Sequence, residues 1–151
     1  MKKIVAVLLC AVLVFSTMSF SASAYEPEDI LVSRDVEILD NGDMIVTEKY
    51  LDAVQPFTGT SGSATSTYST ASGKAMWALR VYGKFTYTYG VSSSATAAAA
   101  EIIIYDSGCK EVSKNAYTHG NTATATGSAQ YGGAVTNWHV DLSCDIYGNL
   151  Y

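Results

Sequence analysis

The sequence predicts an all-β protein, an antiparallel β-sandwich of immunoglobulin-like architecture preceded by an N-terminal β-hairpin. About seven short segments alternate apolar and polar residues, and turn residues separate them at intervals of roughly 8–12 residues. Apolar residues show no helical periodicity over any stretch longer than about 12 residues. The clearest alternation begins at Trp77 and continues to Tyr89, which indicates a long strand with one buried face.

The first 24 residues are typical of a secretory signal peptide. Lys2 and Lys3 precede an apolar run at residues 4–15, and an A-x-A cleavage motif occupies residues 22–24. The run is shorter than the roughly 20 residues that cross a bilayer, which argues against a membrane anchor. We therefore expect a secreted, extracellular protein. Removing 24 of the 151 residues leaves 127, enough for one domain with its own core.

Residues 25–52 form an acidic N-terminal segment in which a β-hairpin is predicted. Asn41-Gly42 lies between two alternating apolar runs, and this dipeptide favours a two-residue type I′ turn. Such a loop places Ile38 opposite Ile45. The sequence leaves open whether the hairpin packs on the main domain, and a removable propeptide is the alternative to a permanent arm.

A Ser/Thr/Gly-rich linker is predicted at residues 53–72, followed by the β-sandwich core at residues 73–151. Ten of the 16 residues from 57 to 72 are Ser or Thr, a composition that buries little apolar surface. The large apolar residues of the core segment are expected to fill the space between the sheets, above all Trp77, Phe85 and Trp138.

The charge of the chain is negative and unevenly distributed. It holds 9 Lys and Arg against 14 Asp and Glu, and nine of these acids lie between residues 25 and 52. No basic patch is present, so neither nucleic acid nor an anionic membrane surface is an expected partner. The acidic segment lacks the ligand spacing of an EF-hand, and the sequence predicts neither a metal site nor a cofactor.

Cys109 and Cys144 are the two cysteines outside the predicted leader. An even pair in an exported chain predicts a disulfide bond. It would close a 36-residue loop, which the chain-entropy argument values at roughly 4 kcal/mol. Two unpaired thiols are the alternative.

Five short motifs follow one another in a characteristic order: Ser72-Gly73-Lys74 with Trp77, Val81 to Tyr87, Tyr105-Asp106-Ser107, Gly120 to Ala125, and Leu142 to Leu150. This order, over residues 35–151, resembles a domain-of-unknown-function family of small secreted proteins from Gram-positive bacteria. The resemblance implies export and Thr/Ser-rich strands, and it carries over no activity. The relatives have an aromatic residue at the position of Cys109 and their first cysteine near residues 92–94. The resemblance therefore implies another partner for Cys144, or no bond.

A binding site is predicted on the long strand. Tyrosine is abundant, with 11 in the chain, and Tyr82 shares the outward parity of Arg80 and Lys84. Exposed aromatic side chains favour binding because they offer a large contact area at little conformational entropy cost. High strand propensity is the alternative reason for so many tyrosines. We predict Tyr82, Arg80 and Lys84 as binding residues for a cell-wall glycan or an extracellular protein.

No catalytic residue is predicted. His139 and Asp141 share one strand face, and His119 lies in a turn, but no nucleophile motif accompanies them. Acids outside the N-terminal segment are few, which makes a glycosidase-type carboxylate pair an unattractive interpretation. The leading hypothesis is a non-enzymatic binding or interaction module that acts at the cell envelope or outside the cell. A bacteriocin-like or toxin-like effector and a secreted hydrolase are the alternatives.

Overall fold

The computed structural model describes residues 28–53 and 59–151, so the predicted leader lies outside the described residues. Eight strands account for most of this part of the chain: β1 (Ile30–Ile38), β2 (Met44–Leu51), β3 (Thr60–Ser69), β4 (Ala75–Thr88), β5 (Ser92–Ile104), β6 (Cys109–His119), β7 (Thr122–Tyr131) and β8 (Ala134–Ser143). No helix within the described ranges has the length and apolarity needed to span a membrane.

The strands form two antiparallel sheets, which confirms the predicted all-β sandwich. One sheet has the order β1-β2-β3-β4-β5 and the other the order β6-β7-β8. Strands that are hydrogen-bonded to each other are consecutive in the chain. Immunoglobulin domains use Greek-key connections instead. The likeness to them is therefore one of architecture, two packed antiparallel sheets, and each sheet is a simple meander.

The core lies between β3, β4 and β5 on one side and β7 and β8 on the other. The inward residues of β4 are large and buried, among them Leu79, Val81 and Phe85. The same face of β7 carries Ala123, Ala125, Gly127 and Ala129 before Tyr131 at the end of the strand, and a Cβ atom on Gly127 would stand 2.8 Å from Leu79 Cδ1. Small residues on β7 thus let the two sheets approach closely.

The predicted hairpin exists, but its predicted turn and register are wrong by one residue. The N–H of Gly42 donates to the carbonyl of Leu39 at 2.8 Å, and Gly42 alone of the turn residues has a positive φ, 83°. This is a type I turn followed by a left-handed glycine, which contains one residue more than a type I′ loop. Ile38 therefore lies opposite Met44 rather than Ile45. Because side chains alternate between faces, Ile45 is buried and Ile38 is exposed.

The hairpin is continuous with the larger sheet and does not stand apart from it. β2 pairs with β3 along its full length, from Met44 opposite Ser69 to Leu51 opposite Gly62. The carboxylate of Asp43 at the hairpin tip accepts hydrogen bonds from the Tyr68 hydroxyl and the Ala71 N–H. These bonds attach the tip to the turn between β3 and β4.

The predicted linker at residues 53–72 is wrong over half of its length, because β3 occupies Thr60–Ser69. Residues 54–58 of the predicted linker lie outside the described residues. Small polar side chains suit this central strand for two reasons. Their hydroxyls bond across the sheet, as between Thr47 Oγ1 and Ser66 Oγ at 2.8 Å. Their size also admits neighbouring strands, since a Cβ atom on Gly62 would stand 2.1 Å from the Tyr50 carbonyl oxygen.

The predicted disulfide bond is absent, and both cysteines are buried free thiols. Cys109 begins β6 and lies opposite Tyr131, at the end of β7. Cys144 directly follows β8, whose last residue lies opposite Thr122 at the start of β7. Nine residues of β strand separate these two positions on β7, a distance of about 30 Å at about 3.3 Å per residue. A disulfide requires Cα atoms about 4.4–6.8 Å apart.

Candidate functional site

A groove runs along β3 on the outer face of the five-stranded sheet, the face that points away from β6–β8. Its floor consists of the outward side chains of β3, and its walls belong to β2 and β4. We call it the β3 groove; it encloses about 290 Å³, and its lining residues are Asp29, Glu48, Tyr50, Ser63, Thr65, Thr67, Arg80, Tyr82 and Tyr105. The short hydroxyl residues of the floor lie below the longer side chains beside them, and Ser63 and Thr65 are buried on this outer face.

Strand register determines which residues face one another across the groove. Tyr50 on β2 and Tyr82 on β4 both lie opposite Ser63. In the next row, Glu48 and Arg80 both lie opposite Thr65. Two strand spacings separate the walls, about 10 Å. Each row thus has a polar floor with one long side chain at either side.

The wall on β4 is held by a hydrogen-bonded cluster. Arg80 Nε donates to Thr65 Oγ1 at 2.8 Å, and Arg80 Nη1 donates to the Tyr82 hydroxyl at 2.9 Å. The Tyr82 hydroxyl in turn donates to Glu101 Oε2 at 2.9 Å, and Arg80 pairs with the same oxygen at 3.4 Å. The Arg80 guanidinium also lies 5.7 Å from the centroid of the Tyr82 ring. These contacts fix the orientation of Tyr82 although its side chain is exposed.

The wall on β2 is built in a similar way. The Tyr50 hydroxyl donates to Glu48 Oε2 at 3.1 Å, and Glu48 pairs with Arg34 of β1 at 3.4 Å. Burial and the bond to Glu48 raise the pKa of Tyr50 above its ordinary value. Tyr50 therefore keeps its proton, and its donor capacity, throughout the neutral range.

The charges along the groove are paired with each other. The row across the sheet reads Arg34, Glu48, Thr65, Arg80 and Glu101, two cations and two anions. Burial tends to lower the pKa of Arg80, but the bond to Tyr82 and the charge of Glu101 outweigh it, and the pKa lies above its ordinary value. Asp29 adds one carboxylate to the lining, and it accepts a hydrogen bond from the Ala53 N–H at 3.1 Å. The groove thus carries no excess of cations.

The three predicted binding residues lie together on one face. Arg80 and Tyr82 line the β3 groove. Tyr82 and Lys84 line a smaller depression, of about 190 Å³, that continues along β4 past Ser61 toward Ala97. Tyr82 therefore lies between the β3 groove and this depression, and the exposed Lys84 borders the depression.

Sequence reasoning missed the residues that complete the site. Glu48 and Tyr50 lie in the acidic hairpin, and their role depends on the pairing of β2 with β3. The floor residues fell within the predicted linker. One signal was present in the sequence: Ser61, Ser63, Thr65 and Thr67 alternate with residues of the opposite face, but all of these are small, so no hydrophobic pattern reveals the strand.

The two histidines of the sequence lie on different strands of the smaller sheet. His139 and Asp141 do share the outer face of β8, as predicted, and His119 is exposed at the end of β6. The Asp141 carboxylate accepts a hydrogen bond from Thr124 Oγ1 at 2.6 Å. That bond directs the carboxylate toward β7 rather than toward an imidazole. His139 borders a polar hollow with Asn137 and Trp138.

Three carboxylates lie in or beside the groove. Asp29 and Glu48 line it, and Glu101 lies beside it on β5, in the same row as Glu48. The strands that carry Glu48 and Glu101 are three strand spacings apart, about 14 Å. Within residues 28–53 and 59–151, no group of three or more His, Cys, Asp or Glu side chains is placed to hold a metal ion.

Comparison with known proteins adds no relative. No protein-family model, no curated protein and no solved structure matches this chain. The resemblance to small secreted proteins of Gram-positive bacteria therefore stays an expectation from the sequence.

Proposed function

We propose that this protein is a non-enzymatic binding module, exported as its leader predicts and acting at the cell envelope or outside the cell. Its ligand is a neutral linear glycan that lies in the β3 groove. The observation that carries the proposal is the row Tyr50–Ser63–Tyr82, in which two tyrosine side chains border a hydroxyl floor.

The shape of the groove favours an extended chain. The floor of the β3 groove runs from Ser63 to Thr67, four residue steps of β3 or about 14 Å at about 3.4 Å per residue. The hollow beside Lys84, which Ser61 lines, prolongs it beyond Tyr82. A groove of this length with walls about 10 Å apart suits several units of a narrow polymer better than one compact molecule.

The chemistry of the walls suits a sugar. A pyranose ring has apolar C–H faces that pack on aromatic rings, and its hydroxyls bond to fixed polar groups at its edge. Tyr50 and Tyr82 supply the rings, while Glu48, Arg80 and Glu101 supply acceptors and donors already oriented by their mutual bonds. Groups held in place before binding lose little entropy when the ligand arrives.

The charge balance selects a neutral polymer. A phosphate- or carboxylate-bearing glycan needs cations that are not already compensated. Arg34 pairs with Glu48 and Arg80 pairs with Glu101, and Asp29 adds negative charge to the lining. An anionic chain in this groove would face repulsion from Asp29.

Affinity electrophoresis tests the proposal. The protein is run through gels that contain a neutral linear polysaccharide, with dextran, mannan and hydroxyethylcellulose in separate gels, and through a gel that contains polygalacturonate. We expect at least one neutral polymer to retard the protein and polygalacturonate to leave its mobility unchanged.

Tyr82→Ala is the test variant, with an expected loss of affinity of about tenfold or more because a buried aromatic contact disappears. Tyr117→Ala is its matched control, since Tyr117 is an exposed tyrosine on the outer face of β6 in the other sheet. Equal retardation of both variants, or retardation by polygalacturonate alone, would contradict the proposal.

A further inference from the structure

One edge of the five-stranded sheet is a second surface with a defined chemistry. Among the described residues β1 pairs with β2 alone, and the sheet order places β1 at this edge and β5 at the other. An edge strand presents unpaired backbone N–H and C=O groups, which bind readily to another extended chain. β1 also leaves large apolar side chains exposed, with Val36 at 56% and Ile38 at 71% of full exposure.

The two faces of β1 differ in character. Val36 and Ile38 point to the outer face, where their partners on β2 are Val46 and Met44. Asp35 and Glu37 point to the inner face, where β1 extends beyond the core, and both are exposed. Any strand added to this edge meets apolar side chains on one face and carboxylates on the other.

Two β1 strands from two copies of the chain do not fit each other at this edge. Antiparallel pairing of two β1 strands about a two-fold axis must keep outward residues opposite outward residues. The regular part of β1 is residues 33–38, after the register shift between Leu31 and Ser33. Within it, four registers satisfy this rule with more than one residue pair, and they are centred on Arg34, Asp35, Val36 or Glu37. They place Arg34 opposite Arg34, Asp35 opposite Asp35, Asp35 opposite Glu37, or Glu37 opposite Glu37. Like charges in directly opposite positions destabilise a sheet, so each register is disfavoured.

We infer that β1 is the acceptor for an extended segment of a partner protein in which apolar and basic residues alternate. The apolar residues pack beside Val36 and Ile38, and the basic residues pair with Asp35 and Glu37. The backbone of the segment supplies the hydrogen bonds, and the alternation supplies the selectivity, as in other cases of strand addition. This surface is separate from the β3 groove and does not depend on the proposed glycan.

Peptide titration followed by NMR tests the inference. The probe is a synthetic peptide of alternating Val and Lys, nine residues long to match β1. Two peptides serve as controls: one alternates Val and Glu, and the other has its Val and Lys residues in two separate blocks. We expect the alternating Val and Lys peptide alone to bind, with slowed hydrogen exchange confined to amides of β1.

Two single charge reversals complete the design. Glu37→Lys changes a carboxylate on the inner face of β1, whereas Asp40→Lys makes the same change of net charge in the exposed turn. Glu37→Lys should lower the affinity for the Val and Lys peptide about fivefold, because it creates one like-charge cross-strand pair, and it should raise the affinity for the Val and Glu peptide. Asp40→Lys should leave the alternation preference unchanged.

Three results would overturn the inference. Equal affinity for the alternating and blocked peptides would show that net charge alone is recognised. Slow exchange of the β1 amides that point away from β2, before any peptide is added, would show that the edge is already covered. Equal weakening by both charge reversals would remove the role of Glu37.

Discussion

The two halves of the five-stranded sheet share one hydrogen-bonding pattern but differ in what their inner faces carry. In the β3–β5 half, Leu79 and Val81 are buried against the second sheet. In the β1–β2 half, the same face carries Asp35, Glu37 and Lys49, and its buried apolar residue is Ile45 on β2. Burial therefore decreases across β2 and ends at β1, while backbone pairing continues to the edge. The covered half provides stability, and the uncovered half is free to supply one wall of the β3 groove and an open edge.

Truncation in the covered half should cost the most. Leu79→Ala removes a side chain with no exposed surface, and we expect a loss of about 2–5 kcal/mol in the free energy of unfolding. Val36→Ala on β1 is the counterpart in the uncovered half, with an expected change within about 0.5 kcal/mol. Urea denaturation measures both. Similar losses in the free energy of unfolding for the two variants would contradict this difference between the halves.

The seam between the halves is sensitive to one added methyl group. A Cβ atom on Gly62 would stand 2.1 Å from the Tyr50 carbonyl oxygen and 2.5 Å from Leu150 Cδ1. Gly62→Ala should therefore push β2 away from β3 at a cost of about 1–3 kcal/mol. Hydrogen exchange should show faster exchange in β1 and β2 and unchanged exchange in β7. Thr67→Ala in the same strand is the control, with an expected cost below about 1 kcal/mol. Unchanged exchange of β2 in Gly62→Ala would contradict the account.

The bond between Tyr68 and Asp43 should make the attachment of the hairpin tip sensitive to pH. Hydrogen bonding to Asp43, with burial, raises the pKa of Tyr68 to about 12. Because the pKa of Tyr68 is higher in the folded state than in the unfolded state, the protonated hydroxyl contributes to the free energy of unfolding. This contribution is fully present below the ordinary tyrosine pKa, near pH 10. That stability declines as the pH rises from there toward 12.

Urea denaturation between pH 8 and 11.5 measures this alkaline loss. In Tyr68→Phe the decline above about pH 10 should be shallower than in the wild type, whereas Tyr117→Phe, which alters an exposed tyrosine, should follow the wild type. The same hydrogen bond lowers the pKa of Asp43. The contribution of the Asp43 carboxylate to the free energy of unfolding is therefore present above about pH 4 and is lost as the pH falls below it. Parallel alkaline curves for wild type and Tyr68→Phe would contradict this role.

Reduction should have the smallest effect, because packing rather than a covalent link holds the two sheets together. Dithiothreitol should leave the free energy of unfolding unchanged, since Cys109 and Cys144 are free. Both thiols should react with a thiol reagent in urea and neither in the native state, where both are buried. A loss of roughly 4 kcal/mol on reduction would instead indicate the disulfide bond that the sequence predicts.

The sequence predicts those strands whose two faces differ in polarity. β7 is predicted at residues 122–131, where it lies, because Ala and Gly alternate with Thr and Ser. The outward residues Arg80 and Tyr82 are predicted for the same reason. β3 is missed because both of its faces carry small residues, so composition suggests a linker. The first part of β5, Ser92–Ala97, likewise carries small residues on both faces and gives no hydrophobic pattern.

Turn geometry and strand order set the remaining limit on prediction. Asn41-Gly42 predicts a hairpin, but one extra residue in the turn moves Ile38 to the exposed face. The opposite wall of the groove depends on β2 lying beside β3, a long-range pairing that no local pattern encodes. For the same reason the cysteine count predicts a bond that strand register excludes.

Chemical-shift mapping with a neutral polysaccharide fragment tests whether the β3 groove is the binding site for a neutral glycan. The fragment is an oligosaccharide of whichever neutral polymer retards the protein in the gels, titrated into isotopically labelled protein. The account predicts shifts along β3 and at Tyr50, Arg80 and Tyr82, with none on the outer face of β6–β8. Shifts confined to β6–β8, or to the turns at the ends of the sandwich, would contradict it.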